Sequence, residues 1–87
     1  MNSKPHPLQE AAAVLDTLAE GKTPDRVSVL AAALALTTHC NQTDASRDMR
    51  DAAAGLEILA TGGILDLDTT GRQRAAKLAR LVRQAVP

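Results

Sequence analysis

This chain of 87 residues is long enough for one domain. It contains no Phe, Tyr or Trp, so its core must be aliphatic and it lacks the rings that stack on single-stranded nucleic acid. Ten basic and ten acidic side chains give a formal net charge of zero, which argues against attraction of the whole molecule to DNA or to an anionic membrane. A single cysteine excludes an internal disulfide, and no apolar run is long enough to cross a bilayer.

The beginning of the chain predicts an arm followed by a helix. Residues 1–6 are expected to form a flexible N-terminal arm, and residues 7–87 a single helical domain. A helix is predicted over residues 7–20, because Pro7 suits a first turn and Gly21 suits a left-handed stop. Its inner face is expected to carry the apolar residues that recur every three or four positions: Leu8, Ala11, Ala12, Leu15, Leu18 and Ala19.

The second helix is predicted over residues 24–41, with Thr23 as its cap and Pro24 at its first position. From residue 27 to residue 36 it is apolar nearly all round, and a helix without a polar face is normally buried on every side. We therefore expect this segment to lie at the centre of the fold, either inside the monomer or across a dimer contact. Four side chains are the candidates for that core or dimer contact: Val27, Leu30, Leu34 and Leu36.

The third helix is predicted over residues 44–60, with Thr43 or Asp44 as its cap. Gly55 lowers the helix propensity by about 1 kcal/mol relative to Ala, so we expect it to permit close approach of the second helix. The inner stripe of the third helix is expected to consist of Met49, Ala52, Ala53, Leu56, Leu59 and Ala60.

After the third helix, Gly62 predicts a stop, and residues 64–68 predict a bent linker whose apolar side chains cover the end of the fold. A last helix is predicted over residues 70–85. Its cap is expected to be Asp68, Thr69 or Thr70.

The four predicted helices indicate an all-α protein. We expect a small antiparallel four-helix bundle whose core consists of Ala, Leu and Val, with the second helix at its centre. Such a core is thin in so short a chain, and pairing is a common remedy in small domains, so self-association as a homodimer is expected.

The last helix carries the strongest charge signal. From residue 72 onwards the chain has five basic side chains and no acidic one, so the rest of the chain carries a net charge of −5. The basic side chains spread over one broad helix face. Three interpretations are open: a solvated surface, a docking surface for an acidic protein or a second copy, or a phosphate-contacting surface. The face is formed by Arg72, Arg74, Lys77, Arg80 and Arg83.

No catalytic, metal-binding or cofactor-binding set is predicted. His39 and Cys40 are adjacent, but neighbouring helical side chains point about 100° apart, so the two are not expected to share a proton. No second cysteine and no ligand spacing typical of a metal site accompanies them. The carboxylates of the third helix are expected to be ionised and solvated beside Arg47 and Arg50. We therefore expect neither enzymatic activity nor a cofactor.

The sequence favours a non-enzymatic protein-binding module: a small adaptor, anti-activator or inhibitor acting on a larger bacterial assembly, of the kind that phages and plasmids also encode. An excess of Arg over Lys and abundant Ala fit a bacterial protein. The first residues lack the layout of a secretory signal, so a cytoplasmic location is expected, with no membrane partner. The alternative is a nucleic-acid-binding accessory protein that contacts phosphates through the basic last helix.

Overall fold

The computed structural model describes residues 6–62 and 67–86, and this part of the chain is helical, without a strand. Most of the predicted N-terminal arm and the first three residues of the predicted linker lie outside it. None of the helices in the described ranges has the length and apolar content that a membrane crossing requires. The predicted all-α class is confirmed by four helices: α1 (Pro7–Ala19), α2 (Arg26–Gln42), α3 (Arg47–Thr61) and α4 (Thr69–Ala85).

α1 begins directly after His6 and stops before Gly21, as predicted. The ring Nδ1 of His6 accepts a hydrogen bond from the backbone N–H of Leu8 at 3.1 Å, and the side chain of Gln9 accepts one from the backbone N–H of His6 at 3.3 Å. At the other end Gly21 has a φ of +80°, which glycine adopts at little cost. A Cβ there would lie 3.0 Å from the guanidinium carbon of Arg72, so α4 packs closely against this turn.

The predicted start of α2 is wrong. Thr23 does not cap the helix and Pro24 lies outside it; the cap is Asp25, whose Oδ1 accepts a hydrogen bond from the backbone N–H of Ser28 at 2.7 Å. Hydrogen bonds from the side chain and the backbone of Ser28 hold the pKa of Asp25 below its ordinary value. Asp25 prevails because an ionised carboxylate is a stronger acceptor than a hydroxyl and complements the positive end of the helix dipole.

The predicted caps of α3 are also wrong. Ser46 caps the helix instead, since its Oγ accepts a hydrogen bond from the backbone N–H of Met49 at 3.3 Å. Thr43 closes the preceding helix: its hydroxyl donates to the carbonyl oxygen of His39 at 3.0 Å. Both Thr43 and Asp44 therefore lie in the connection between α2 and α3, and α3 starts three residues later than predicted.

The end of α3 and the start of α4 agree with the sequence. Gly62 is the C-cap of α3, with a φ of +142°. Asp68, one of the three predicted caps, begins α4: its Oδ1 accepts a hydrogen bond from the backbone N–H of Gly71 at 2.8 Å.

The apolar faces of the helices enclose one core. α1 packs against both α2 and α4, α2 packs against α3, and α3 and α4 touch each other least. The predicted inner face of α1 and inner stripe of α3 are confirmed, with partial exposure only near their C-terminal ends. The buried residues are Leu8, Ala11, Ala12, Leu15 and Leu18 of α1, Val29, Ala32, Ala33, Leu36 and Cys40 of α2, Met49, Ala52, Ala53 and Leu56 of α3, and Ala75, Ala79 and Val82 of α4.

Burial of α2 on every side of the monomer, one of the two expectations for this helix, is wrong. Of the other three described helices, α1 and α3 pack on it and α4 does not, so its outer side faces solvent. Val27, Leu30 and Leu34 are 77%, 44% and 59% exposed, whereas Leu36 is buried in the core. The other expectation, that this segment crosses a dimer contact, stays a prediction.

Gly55 does not serve close approach of α2, contrary to the prediction. It is exposed, and a Cβ built on it would have no neighbouring atom within 4 Å. The reason is its orientation: Gly55 lies on the side of α3 that faces α4, the helix pair with the loosest contact.

Candidate functional site

An uncharged aliphatic ridge runs along the outer side of α2. Val27, Leu30 and Leu34 follow one another at intervals of three and four residues, which places them on one side of the helix. From residue 27 to residue 42 the sequence contains no Asp, Glu, Lys or Arg. These three side chains, named here the α2 ridge, therefore present aliphatic surface to solvent with no charge among them.

The five basic residues predicted to form one face of α4 divide between two sides of the helix. Arg74, Lys77 and Arg80 are exposed on the outer side and the side towards α3. Arg72 and Arg83 lie on the side towards α1. α4 therefore presents three of its five cations as a group on the sides away from α1.

The two cations towards α1 have partners within the fold. The guanidinium of Arg83 donates a hydrogen bond to the carboxylate of Asp16, which raises the pKa of Arg83. The two side chains are 50% and 38% exposed, so this ion pair contributes little to stability but cancels one positive charge of the predicted face. Arg72 is partly buried, with its guanidinium packed against the turn at Gly21.

A groove opens to solvent between α3 and α4, where the two helices contact each other least. Its volume is about 230 Å³, below the range of roughly 300–1,000 Å³ that is usual for small-molecule sites. Its lining is mainly aliphatic, with Gly55 and Gly71 adding no side chain of their own. Six leucines define this α3–α4 groove: Leu15, Leu18, Leu56, Leu59, Leu67 and Leu78.

The α3–α4 groove has an acidic rim and a basic rim. Asp51 of α3 and Arg74 of α4 line the groove itself. Leu78 also lines a neighbouring recess, where Asp48 lies on the α3 side and Lys77 on the α4 side. All four charged side chains are exposed, and among residues 6–62 and 67–86 no ion pair joins one rim to the other. The rim charges are therefore available to a partner.

His39 and Cys40 diverge, as helix geometry predicts. Cys40 is buried in the core, whereas the Nε2 of His39 lies 3.5 Å from the hydroxyl oxygen of Thr43. His39 and His6 line one shallow depression, but the described residues hold no group of three or more side chains that could bind a metal ion. The imidazole and thiol at positions 39 and 40 are thus not placed to share a proton.

The sequence alone does not point to the α3–α4 groove, because its two rims lie on different helices. Its one local signal is that α3 carries Asp48 and Asp51 on the same side as Gly55. From the sequence, the two carboxylates are expected to be solvated and the glycine to permit close helix packing. No family model, no curated protein and no solved structure matches this chain. Its function must therefore be inferred from the chemistry of its surfaces.

Proposed function

We propose that this protein is a non-enzymatic protein-binding module that forms a homodimer through the α2 ridge. In this proposal it acts as a small adaptor, anti-activator or inhibitor on a larger bacterial assembly, of the kind that phages and plasmids also encode. The antiparallel bundle arrangement and the cytoplasmic location belong to the same proposal. The single observation that carries it is the set of three aliphatic side chains exposed on α2, a helix without Asp, Glu, Lys or Arg after its first residue, Arg26.

The distribution of side-chain size on α2 supports a binding role. The helix turns Val29 and Leu36 towards the core together with two small residues, Ala32 and Ala33. Its three other large aliphatic residues occupy the outer side, at the α2 ridge. A sequence selected for folding alone would place its large aliphatic residues inside, where covering apolar surface contributes about 25 cal/mol per Å². Contiguous apolar surface that stays exposed on a small monomer marks a contact with another molecule.

A second copy of the chain suits the α2 ridge. In a two-fold contact the same patch of each subunit meets itself, so a patch with charges of only one sign would face like charges. The three ridge side chains carry none; the one Arg of α2 is Arg26, at the start of the helix, whose guanidinium donates a hydrogen bond to the carbonyl oxygen of Leu59 at 2.6 Å. The overall net charge of zero removes long-range repulsion between copies as well.

Sedimentation equilibrium of Leu34→Asp tests this proposal. The Leu34 side chain is 59% exposed, so aspartate should leave the helical circular dichroism unchanged while it introduces a charge into the contact. We expect the wild type to approach twice its chain mass of 9.1 kDa and the variant to return to 9.1 kDa. Gln73→Asp, at an exposed position of α4, adds the same charge outside the ridge and should keep the dimer. A wild type that remains at 9.1 kDa would contradict self-association.

A second candidate function is phosphate contact with nucleic acid, favoured by the exposed cations Arg74, Lys77 and Arg80. With Arg83 paired to Asp16 and Arg72 partly buried against the turn at Gly21, each chain would contact three phosphates rather than five. Three contacts predict a fall of about 40-fold in duplex affinity between about 50 and 200 mM salt, against about 500-fold for five. A labelled duplex of random sequence measures this fall. Binding with the smaller salt dependence supports the second candidate, and no binding at either concentration contradicts it.

A further inference from the structure

We propose that the α3–α4 groove receives an amphipathic helix of a partner protein, with an aliphatic stripe, acidic residues on the flank that meets α4 and basic residues on the flank that meets α3. This inference rests on the proposed function, since it assigns a site and a kind of partner to a protein-binding module. It also gives a role to Asp48 and Asp51, which take no part in the proposed contact through the α2 ridge.

The floor of the groove offers an incomplete apolar contact. Leu59, Leu67 and Leu78 are only partly buried, although they pack against core residues below them. A helix laid between α3 and α4 would cover these side chains and fill the space that the two helices leave between them. The groove volume of about 230 Å³ suits a row of aliphatic side chains.

The groove is long enough for a helix. Leu78 joins it to the recess that carries Lys77, and Leu81 joins that recess to a third one near Ser46. From residue 71 to residue 84, α4 rises about 20 Å, which is close to four helical turns. A partner helix of that length presents aliphatic side chains at i, i+3, i+4 and i+7 to the floor.

The charged rims determine which charge pattern a partner helix must have and in which direction it lies in the groove. A helix with two acidic flanks would meet Asp48 and Asp51, and one with two basic flanks would meet Arg74 and Lys77, so each would face like charges. A helix with one acidic and one basic flank satisfies both rims. It does so in one direction only, because turning the helix end for end exchanges its flanks.

Synthetic helical peptides of about 18 residues test this inference. The mixed peptide carries an aliphatic stripe with a single Trp, Glu on one flank and Lys on the other. Two comparison peptides carry Lys on both flanks or Glu on both flanks. Because the protein has no Trp or Tyr, the tryptophan emission comes from the peptide alone, and a blue shift reports burial of the ring.

The wild-type protein should bind the mixed peptide about tenfold more tightly than either comparison peptide, since each comparison peptide replaces attraction by repulsion along one rim. The double variant Arg74→Glu, Lys77→Glu places acids opposite Asp51 and Asp48 and leaves Arg80 as the one cation that lines the recess, so its preference should change to the peptide with Lys on both flanks. Arg47→Glu is the matched control: Arg47 is an exposed cation of α3 that lines neither the groove nor the adjoining recess, so the original preference should persist.

Equal affinity for the three peptides, an unchanged preference in the double variant, or no blue shift at about 1 mM protein would each overturn the inference. These outcomes are separable from failure of the proposed function. A dimer that dissociates on Leu34→Asp but binds no peptide would overturn the groove alone. A monomeric wild type that binds the mixed peptide would overturn self-association and leave the groove supported.

Discussion

The guanidinium of Arg83 in α4 donates a hydrogen bond to the carboxylate of Asp16 in α1, 67 positions earlier in the chain. The contact joins two helices that also pack along their apolar faces. It separates the cations of α4 that contact α1 from those that lie on its other sides. The cations that remain at the surface stand opposite the acids of α3 across the α3–α4 groove.

Arg83→Gln should lower the free energy of unfolding by only about 0.2–1 kcal/mol, because the ion pair is exposed to solvent. Asp16→Asn should lower it by a similar amount, and combining the two substitutions should add almost nothing to either one. Urea denaturation followed by circular dichroism measures all three. If the two effects were simply additive, Arg83 and Asp16 would not be coupled in solution. Arg80→Gln, an exposed cation without this pair, serves as the control.

Ser46→Ala should lower the free energy of unfolding by about 1 kcal/mol, since it removes the acceptor for the Met49 N–H at the start of α3. For a domain of this size that corresponds to a fall of about 4–8 °C in melting temperature. Asp44→Ala, which alters one of the caps predicted from sequence, should leave the melting temperature nearly unchanged. A larger fall in melting temperature for Asp44→Ala than for Ser46→Ala would support the start of α3 at residue 44 that the sequence predicts.

Asp25→Asn should change how stability depends on pH. The folded-state pKa of Asp25 is lowered from 3.8, so its ionised form contributes stability that is present above pH 3.8 and is lost as the pH falls through the folded-state pKa. Asparagine also caps helices but does not titrate in this range. The difference in melting temperature, wild type minus Asp25→Asn, should therefore be larger at pH 6 than at pH 3. An equal difference at both pH values would exclude Asp25 as an ionised cap.

Gly55→Ala should raise the free energy of unfolding by about 0.5–1 kcal/mol, because alanine favours the helix and a Cβ meets no neighbour within 4 Å. Gly21→Ala should lower it by about 1–2 kcal/mol, since Gly21 has a φ of +80°. Chemical denaturation of both variants measures the contrast. Destabilisation by Gly55→Ala would instead support the close helix contact predicted from sequence.

The helices and their inner faces could be predicted because that information is local. Residues such as Leu8, Leu15 and Leu18 recur with the period of a helix, and Gly21 ends it through its own backbone preference. The caps of α2 and α3 could not be chosen in the same way. Several adjacent Ser, Thr and Asp residues are suitable at each start, and the hydrogen bonds made by Asp25 and Ser46 decide between them.

The features that the sequence could not predict depend on how the helices are placed. The apolar pattern of α2 is compatible with full burial, but two of the other described helices pack on it rather than three, and Leu30 and Leu34 are exposed. The charged rims require Asp51 and Arg74 to lie on either side of one groove, although they belong to different helices. A periodic pattern specifies which side of a helix is apolar, not how many helices cover it.

The proposed contact between two copies of the chain lies at the α2 ridge. Its most direct test is a methyl NMR experiment on an equal mixture of isotope-labelled and unlabelled chains, in which only contacts between copies give filtered nuclear Overhauser effects. We predict such signals from the methyl groups of Val27, Leu30 and Leu34 and none from Ile58, an equally exposed aliphatic residue on α3. Absence of signals from the ridge, or signals confined to another surface, would contradict the account.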